Sequence, residues 1–209
     1  MAETVLRAWW ERIRGRLKPR PMPYTLIKWL DIPGRTLVAG APSVLAEMGI
    51  GAGQRVLEIG PGTGFYSIEA ARRVSPTGHL VCVDVQHRML ARIREKLAAG
   101  SLDADLVQSD AAALPLASGQ FDHVFMVGVL GEIPNHETAL AEIRRVLKAG
   151  GRLSVSEQLP DPDFIPPATL RRELSAAGFV EEQTRGWAMY TSTWRLTARA
   201  LADRRAAPE

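Results

Sequence analysis

From about residue 55 to residue 197, short apolar runs alternate with longer stretches whose apolar residues recur at helical spacing. That rhythm leaves a chain few options. A strand buried on both faces needs a continuous apolar run, and each intervening helix covers the sheet with one apolar stripe. The expected product is an α/β fold of βαβ units around a parallel sheet. Strands are expected at 55–60, 79–84, 104–108, 121–127, 151–157, 179–186 and 190–197, with helices at 65–74, 86–99, 135–148 and 168–177. Gly150-Gly151 and Gly178 follow the last two helical stretches, where glycine commonly ends a helix. Pro160, Pro162, Pro166 and Pro167 in "LPDPDFIPPATL" make a stiff loop after the fifth strand, on the ligand side of such a sheet.

The 209 residues, 46% of them hydrophobic, suffice for one core of ordinary size. The expected division is an amphipathic helix and lid over 1–50, the main α/β domain over 51–198 and a flexible tail over 199–209. Six basic and two acidic residues in the first twenty give that arm a balance of +4 against +3 for the whole chain, which leaves the rest at −1. A basic arm on a near-neutral body is a weak nucleic-acid signal. The single cysteine, Cys82, lies in the apolar run "HLVCVDV" and reads as a small buried side chain in a reducing compartment. No signal-peptide core or membrane-spanning run is evident, so the expectation is a soluble, cytoplasmic protein, or one attached peripherally at the inner membrane face.

The first strand runs into "VLEIGPGTG", residues 56–64, with Gly60, Gly62 and Gly64 at alternate positions. Glycine there permits unusual backbone angles and lets a ligand approach the main chain without meeting a Cβ. A dinucleotide turn prefers G-x-G-x-x-G, and here Phe65 occupies the third glycine's place, which counts against NAD. Asp84, twenty residues after Gly64, closes the second apolar run. It reads as a carboxylate for both ribose hydroxyls, or as a strand-end cap. Asp110 in "SDAAALP" suits an exocyclic adenine amine, with Ala111 leaving room for a flat ring; the alternative is a solvated loop acid.

Taken together, E-x-G-x-G-x-G at 58–64, Asp84, Asp110-Ala111, "LPLASGQFDHVFMVGVLGEIPN" and "ALAEIRRVLKAGGRLSVSE" resemble class I S-adenosylmethionine-dependent methyltransferases of the quinone-methylase-like group, over about residues 50–190. The resemblance implies a doubly wound, Rossmann-like seven-stranded sheet with a reversed final strand pair, and S-adenosyl-L-methionine as methyl donor. It also implies cofactor contacts at Glu58, the Gly60–Gly64 turn, Asp84, Val85, Asp110 and Ala111, with Gly128 and Val129 near the sulfonium. No metal is implied.

Methyl transfer needs a general base only where the acceptor arrives protonated. Glu132 and His136 in "GEIPNHE" and Glu157 at the end of the fifth strand are the candidates, with Tyr66 and Tyr190 as pocket-lining residues. Val5, Leu6, Trp9, Trp10, Ile13 and Leu17 share one helical stripe opposite Arg7, Glu11, Arg14 and Lys18. Such a helix suits the protein's own body, an anionic membrane surface or a partner's groove. The proline-rich, apolar segment that follows occupies a lid position and points to a small, apolar or lipid-like acceptor, phospholipid amines and quinone precursors foremost. Nucleic acid is not expected, because the segment after the fourth strand lacks the Asn/Asp-Pro-Pro-aromatic run of base methylases. Two rivals remain: a non-catalytic S-adenosylmethionine-binding protein that recruits a partner through the arm, and a nicotinamide dehydrogenase.

Overall fold

The apolar runs become one seven-stranded mixed sheet in the computed structural model, which describes residues 40–197. Its strands are β1 (Arg55–Ile59), β2 (His79–Asp84), β3 (Asp105–Gln108), β4 (Phe121–Val127), β5 (Leu147–Gln158), β6 (Phe179–Gly186) and β7 (Met189–Leu196). They lie in the order β3-β2-β1-β4-β5-β7-β6, and β7 runs antiparallel to both β5 and β6. The doubly wound, Rossmann-like sheet with its reversed last pair is therefore present. The helices are α1 (Ala41–Met48), α2 (Ser67–Val74), α3 (His87–Ala99), α4 (His136–Val146) and α5 (Pro167–Ala176).

The central strands read as unbroken apolar runs because both faces are covered. On β1, Val56 joins Leu80, Cys82 and Phe125 under α1, α2 and α3, whereas Leu57 and Ile59 face Val81, Val124 and Met126 under α4 and α5. The alternation has the strand period of two, with an apolar partner on either side. Strand order reverses between β1 and β4, so crossovers leave in opposite directions there and a crevice opens beyond the carboxyl ends of those strands.

Three local expectations need correction. The third expected helix stops at Val146 rather than 148, and β5 starts at Leu147, four residues before its expected start. Leu147 pairs with Phe121, after which the register slips and Arg152 pairs with His123. Gly150, at φ 71°, therefore sits in an irregular strand and does not end the helix. A bulge of this kind needs glycine where the backbone turns left-handed. The helix α1 was not expected: it buries Ala41, Val44, Leu45 and Met48 in the core, so residues 41–48 belong to the body and not to a lid. The N-terminal amphipathic helix, the lid segment before residue 40 and the tail over 199–209 lie outside the described residues. Among the described residues, no helix is long and apolar enough to cross a membrane.

Candidate active site

The crevice holds a cavity of about 240 Å³. Its floor is the turn after β1. Gly60 has φ 67°, its N–H donates to Val83 O at 2.9 Å, and an added Cβ would stand 2.5 Å from Val129 Cγ2. Gly62, at φ 55°, lines the cavity, and a Cβ there would meet nothing within 4 Å. Gly64, at φ 82°, is different: its Cβ would stand 3.0 Å from Ile93 Cγ1, so it faces α3 and is absent from the cavity wall. Only the first two glycines of the turn offer backbone to a ligand; the third lets the turn pack on the helix. Lys96 holds the turn from the same side, donating to Thr63 O at 2.7 Å.

Five carboxylates line the cavity, and three of them, Asp84, Glu58 and Asp110, stand at or just beyond the ends of β1, β2 and β3. Asp84, at the tip of β2, is 7% exposed; it accepts from Gln86 N at 2.8 Å and from the Gly62 N–H, and burial raises its pKa. Glu58, at the end of β1, is 3% exposed. Burial pushes its pKa up to about 7 against the lowering effect of the Ser67 and Cys82 side chains, with Asp84 adding a further raising charge. Asp110 is exposed and closes an Asx turn on Ala112 N at 2.8 Å, and buried Ala111 and exposed Val85 both line the cavity. An isolated buried carboxyl like Glu58 favours the neutral form unless a cation reaches it. An acid at the tip of β2 and a glycine-lined floor suit a ribose and an amino-acid tail respectively.

At the other end, Gly128 and Val129 follow β4. Gly128 has φ 62°, donates to Ser156 O at 2.8 Å and would place a Cβ 3.6 Å from Asp161 Oδ2. Glu132, in the single 3₁₀ turn Leu130–Glu132, and Tyr66, 6% exposed at the start of α2, also line the cavity. His136 does not: it opens α4, and its Nδ1 lies 2.8 Å from Glu173 Oε2 on α5. Tyr190 is likewise no wall residue, since it is buried and its hydroxyl donates to Ile165 O at 2.6 Å. Glu157, 1% exposed, is also absent from the wall. The cavity gains residues that pattern alone did not single out, Gln86, Met89, Gln158 and Asp161 among them. Asp161 carried one usable signal, its place in a proline-stiffened loop on the ligand side of the sheet. Among the described residues, no group of three or more His, Cys, Asp or Glu side chains is arranged to hold a metal.

Residues 56–151 match a family model described as a methyltransferase domain. The ubiquinone/menaquinone biosynthesis C-methyltransferase of Erwinia tasmaniensis is 39% identical over 120 residues, which are 56% of this chain and 47% of that protein. A demethylmenaquinone methyltransferase of Staphylococcus aureus is 36% identical over 108 residues, 52% of this chain and 44% of the relative. The chain thus spans a little under half the length of the curated relatives it matches. The crystal structure of a SAM-dependent methyltransferase from Aquifex aeolicus superposes with a TM-score of 0.79 at 24% identity, covering 84% of this chain and all of that one, which fixes the fold. With the glycine floor, the buried acid at the tip of β2 and the reversed final strand pair already in place, residues 56–151 carry a methyltransferase domain on the class I fold, and the chain is similar to the quinone-methylase-like group of S-adenosylmethionine-dependent methyltransferases.

Proposed function

We propose that the protein transfers a methyl group from S-adenosylmethionine to a small, apolar or lipid-like acceptor. The observation that carries this reading is the single cavity wall shared by Glu58, Gly60, Gly62, Asp84, Ala111 and Gly128 at the switch point of the sheet. Bound there, S-adenosylmethionine supplies an activated methyl on a cationic sulfur. Glu58, buried and close to neutral pH in its titration, takes the ammonium of the methionine portion. The backbone of Gly60 and Gly62 accommodates that portion's chain, and Asp84, held rigid by two backbone N–H groups, accepts from the ribose hydroxyls. Val85 and Ala111 flank the adenine, with Asp110 at its amine edge. Gly128 and Val129 border the sulfur.

Little else is asked of the protein for such a displacement. Holding the attacking atom and the methyl carbon in line, within roughly 3–3.5 Å, supplies much of the rate. Tyr66 and Glu132 border the space in which the acceptor would sit, and Glu132 is the wall residue placed to take a proton from it. Phospholipid amines and quinone precursors remain the acceptors to examine first, the latter on the printed activities of the curated relatives. Action at an anionic membrane surface through the basic arm of residues 1–20, from the cytoplasmic side, is part of the same proposal.

Calorimetry of the full chain with S-adenosylhomocysteine and with NAD, followed by labelled methyl donor with an extracted lipid and metabolite pool, tests the reading. Binding of S-adenosylhomocysteine and label in an extractable product are expected. Tight binding of NAD alone would refute the donor assignment. Donor binding without transfer to any extractable compound would favour a non-catalytic binding protein.

A further inference from the structure

Residues 109–120 carry the chain from β3 to β4, across β2 and β1, without a helix or strand of their own. Parallel strands are usually joined through a helix, which pairs its own backbone. This crossover has to find partners for its polar groups elsewhere. Its first half does so locally: Ser109 N–H donates to Asp84 O at 3.1 Å, and Ala113 N–H to Asp110 O at 3.0 Å. That half supplies Ser109, Asp110 and Ala111 to the cavity wall. The second half is held from outside the cavity, by two side chains of α4.

Glu142 and Arg145 stand one turn apart on that helix and pair through two prongs. Arg145 Nε donates to Glu142 Oε1 at 2.7 Å, and Nη2 donates to Oε2 at 2.8 Å. Both partners also grip the crossover. Glu142 Oε2 accepts from the Leu114 N–H at 2.8 Å, while Arg145 Nη2 donates to Leu114 O at 2.8 Å and Nη1 to Leu116 O at 2.6 Å. Leu114 therefore has both backbone groups on the pair, and its side chain is buried in the core that Ala111, Leu140 and Ile143 share. Arg145 above all, with the Leu114 N–H, holds the Glu142 carboxyl below the usual carboxylate range, so the pair stays ionised through neutral pH. A lysine could not replace this arrangement, because an ammonium is a point charge without the planar fork that reaches a carboxylate and two carbonyls together.

We propose that Glu142 and Arg145 are positioning residues for the donor: they fix the crossover so that Asp110 and Ala111 select adenine over other purines. This rests on the donor reading above and deepens it at the adenine end. A carboxylate accepts from adenine's exocyclic amine, whereas hypoxanthine presents a carbonyl oxygen at the same place, and two acceptors repel. Such a choice depends on where the acid is held. A crossover released from α4 lets the carboxylate swing clear of the carbonyl, and equally lets it drift from the amine.

Calorimetry of the full chain with S-adenosylhomocysteine and with S-inosylhomocysteine, which carries hypoxanthine in place of adenine, reads the choice without turnover. The unaltered chain should prefer the adenine ligand about ten-fold or more, the size of one hydrogen bond to a charged group. Arg145→Lys, which keeps the charge and loses the fork, should bring that preference to about two-fold, mostly by weakening S-adenosylhomocysteine. Glu142→Gln, which keeps an oxygen for the Leu114 N–H and loses the ion pair, should lower it in the same direction. Both variants should retain the pH dependence that Glu58 gives to S-adenosylhomocysteine binding. A preference that survives both substitutions, or a loss of affinity by the same factor for the two ligands, as general loosening of the fold would give, overturns the proposal. Equal binding of the two ligands by the unaltered chain overturns it as well. Failure of the unaltered chain to bind S-adenosylhomocysteine at all would instead sink the donor reading and, with it, this one.

Discussion

Donor affinity should fall as the solution is acidified, and Glu58 should be the cause. In the empty protein its carboxyl titrates near 7, because burial penalises the charged form more than its hydrogen bonds favour it. To pair with the methionine ammonium it must be ionised, so protons compete with the ligand. For one such group the association constant scales as the ionised fraction of the empty site, and moving from about pH 7.5 to about pH 6 should weaken binding of S-adenosylhomocysteine roughly eight-fold, or about 1 kcal/mol. At about pH 7, binding should release roughly half a proton, visible as a dependence of the calorimetric heat on the buffer's ionisation enthalpy. Glu58→Gln should bind more weakly at about pH 7.5 and lose most of the pH dependence. Equal affinities at the two pH values, or proton uptake on binding, would refute the assignment of Glu58 to the ammonium.

The glycines of the turn should separate by role. Gly62→Ala, at positive φ but with open space around it, should cost about 1 kcal/mol of stability and weaken S-adenosylhomocysteine binding about ten-fold. Gly64→Ala should cost more in thermal unfolding, because its Cβ meets Ile93, while the folded fraction keeps its affinity. His123 is buried with a pKa pushed down to about 3 by desolvation and the Arg152 charge. Its unfolded form, near 6.5, binds the proton first, so its contribution is complete above about pH 6.5 and is lost as pH falls. Denaturant unfolding of the wild type, compared with His123→Asn, should show about 2 kcal/mol of extra loss by about pH 5. Gly131→Ala should displace the loop bearing Asp161, abolishing methyl transfer while donor affinity measured by calorimetry stays within about three-fold.

What could be read from the chain itself was whatever is local in sequence. The β1 and β2 runs are apolar on both faces and so announced themselves, and the turn, Asp84 and Asp110 follow from strand ends within a few residues. The short helix α1 was illegible because eight residues carry too few turns to establish a period, and its burial depends on contact with α2 and the sheet. The early start of β5 was hidden because Leu147 is committed by pairing with Phe121, a partner in another strand. The same limit explains the site. Gly64 was indistinguishable from its neighbours until Ile93, on α3, was known to stand against it. His136 looked available until Glu173 closed on it from α5. Asp161 reaches the cavity only because a loop folds back onto Gly131. Each depends on a neighbour brought near by the tertiary fold, to which periodicity and spacing are blind.

The donor site proposed above is the crevice between the carboxyl ends of β1 and β4. A crystal structure of the full chain with S-adenosylhomocysteine tests it most directly. The sulfur should lie beside Gly128 and Val129, the ribose hydroxyls on Asp84, the ammonium at Glu58 and the adenine against Val85 and Ala111. A ligand bound elsewhere, or seated there with its sulfur remote from Gly128 and its ammonium remote from Glu58, would contradict it.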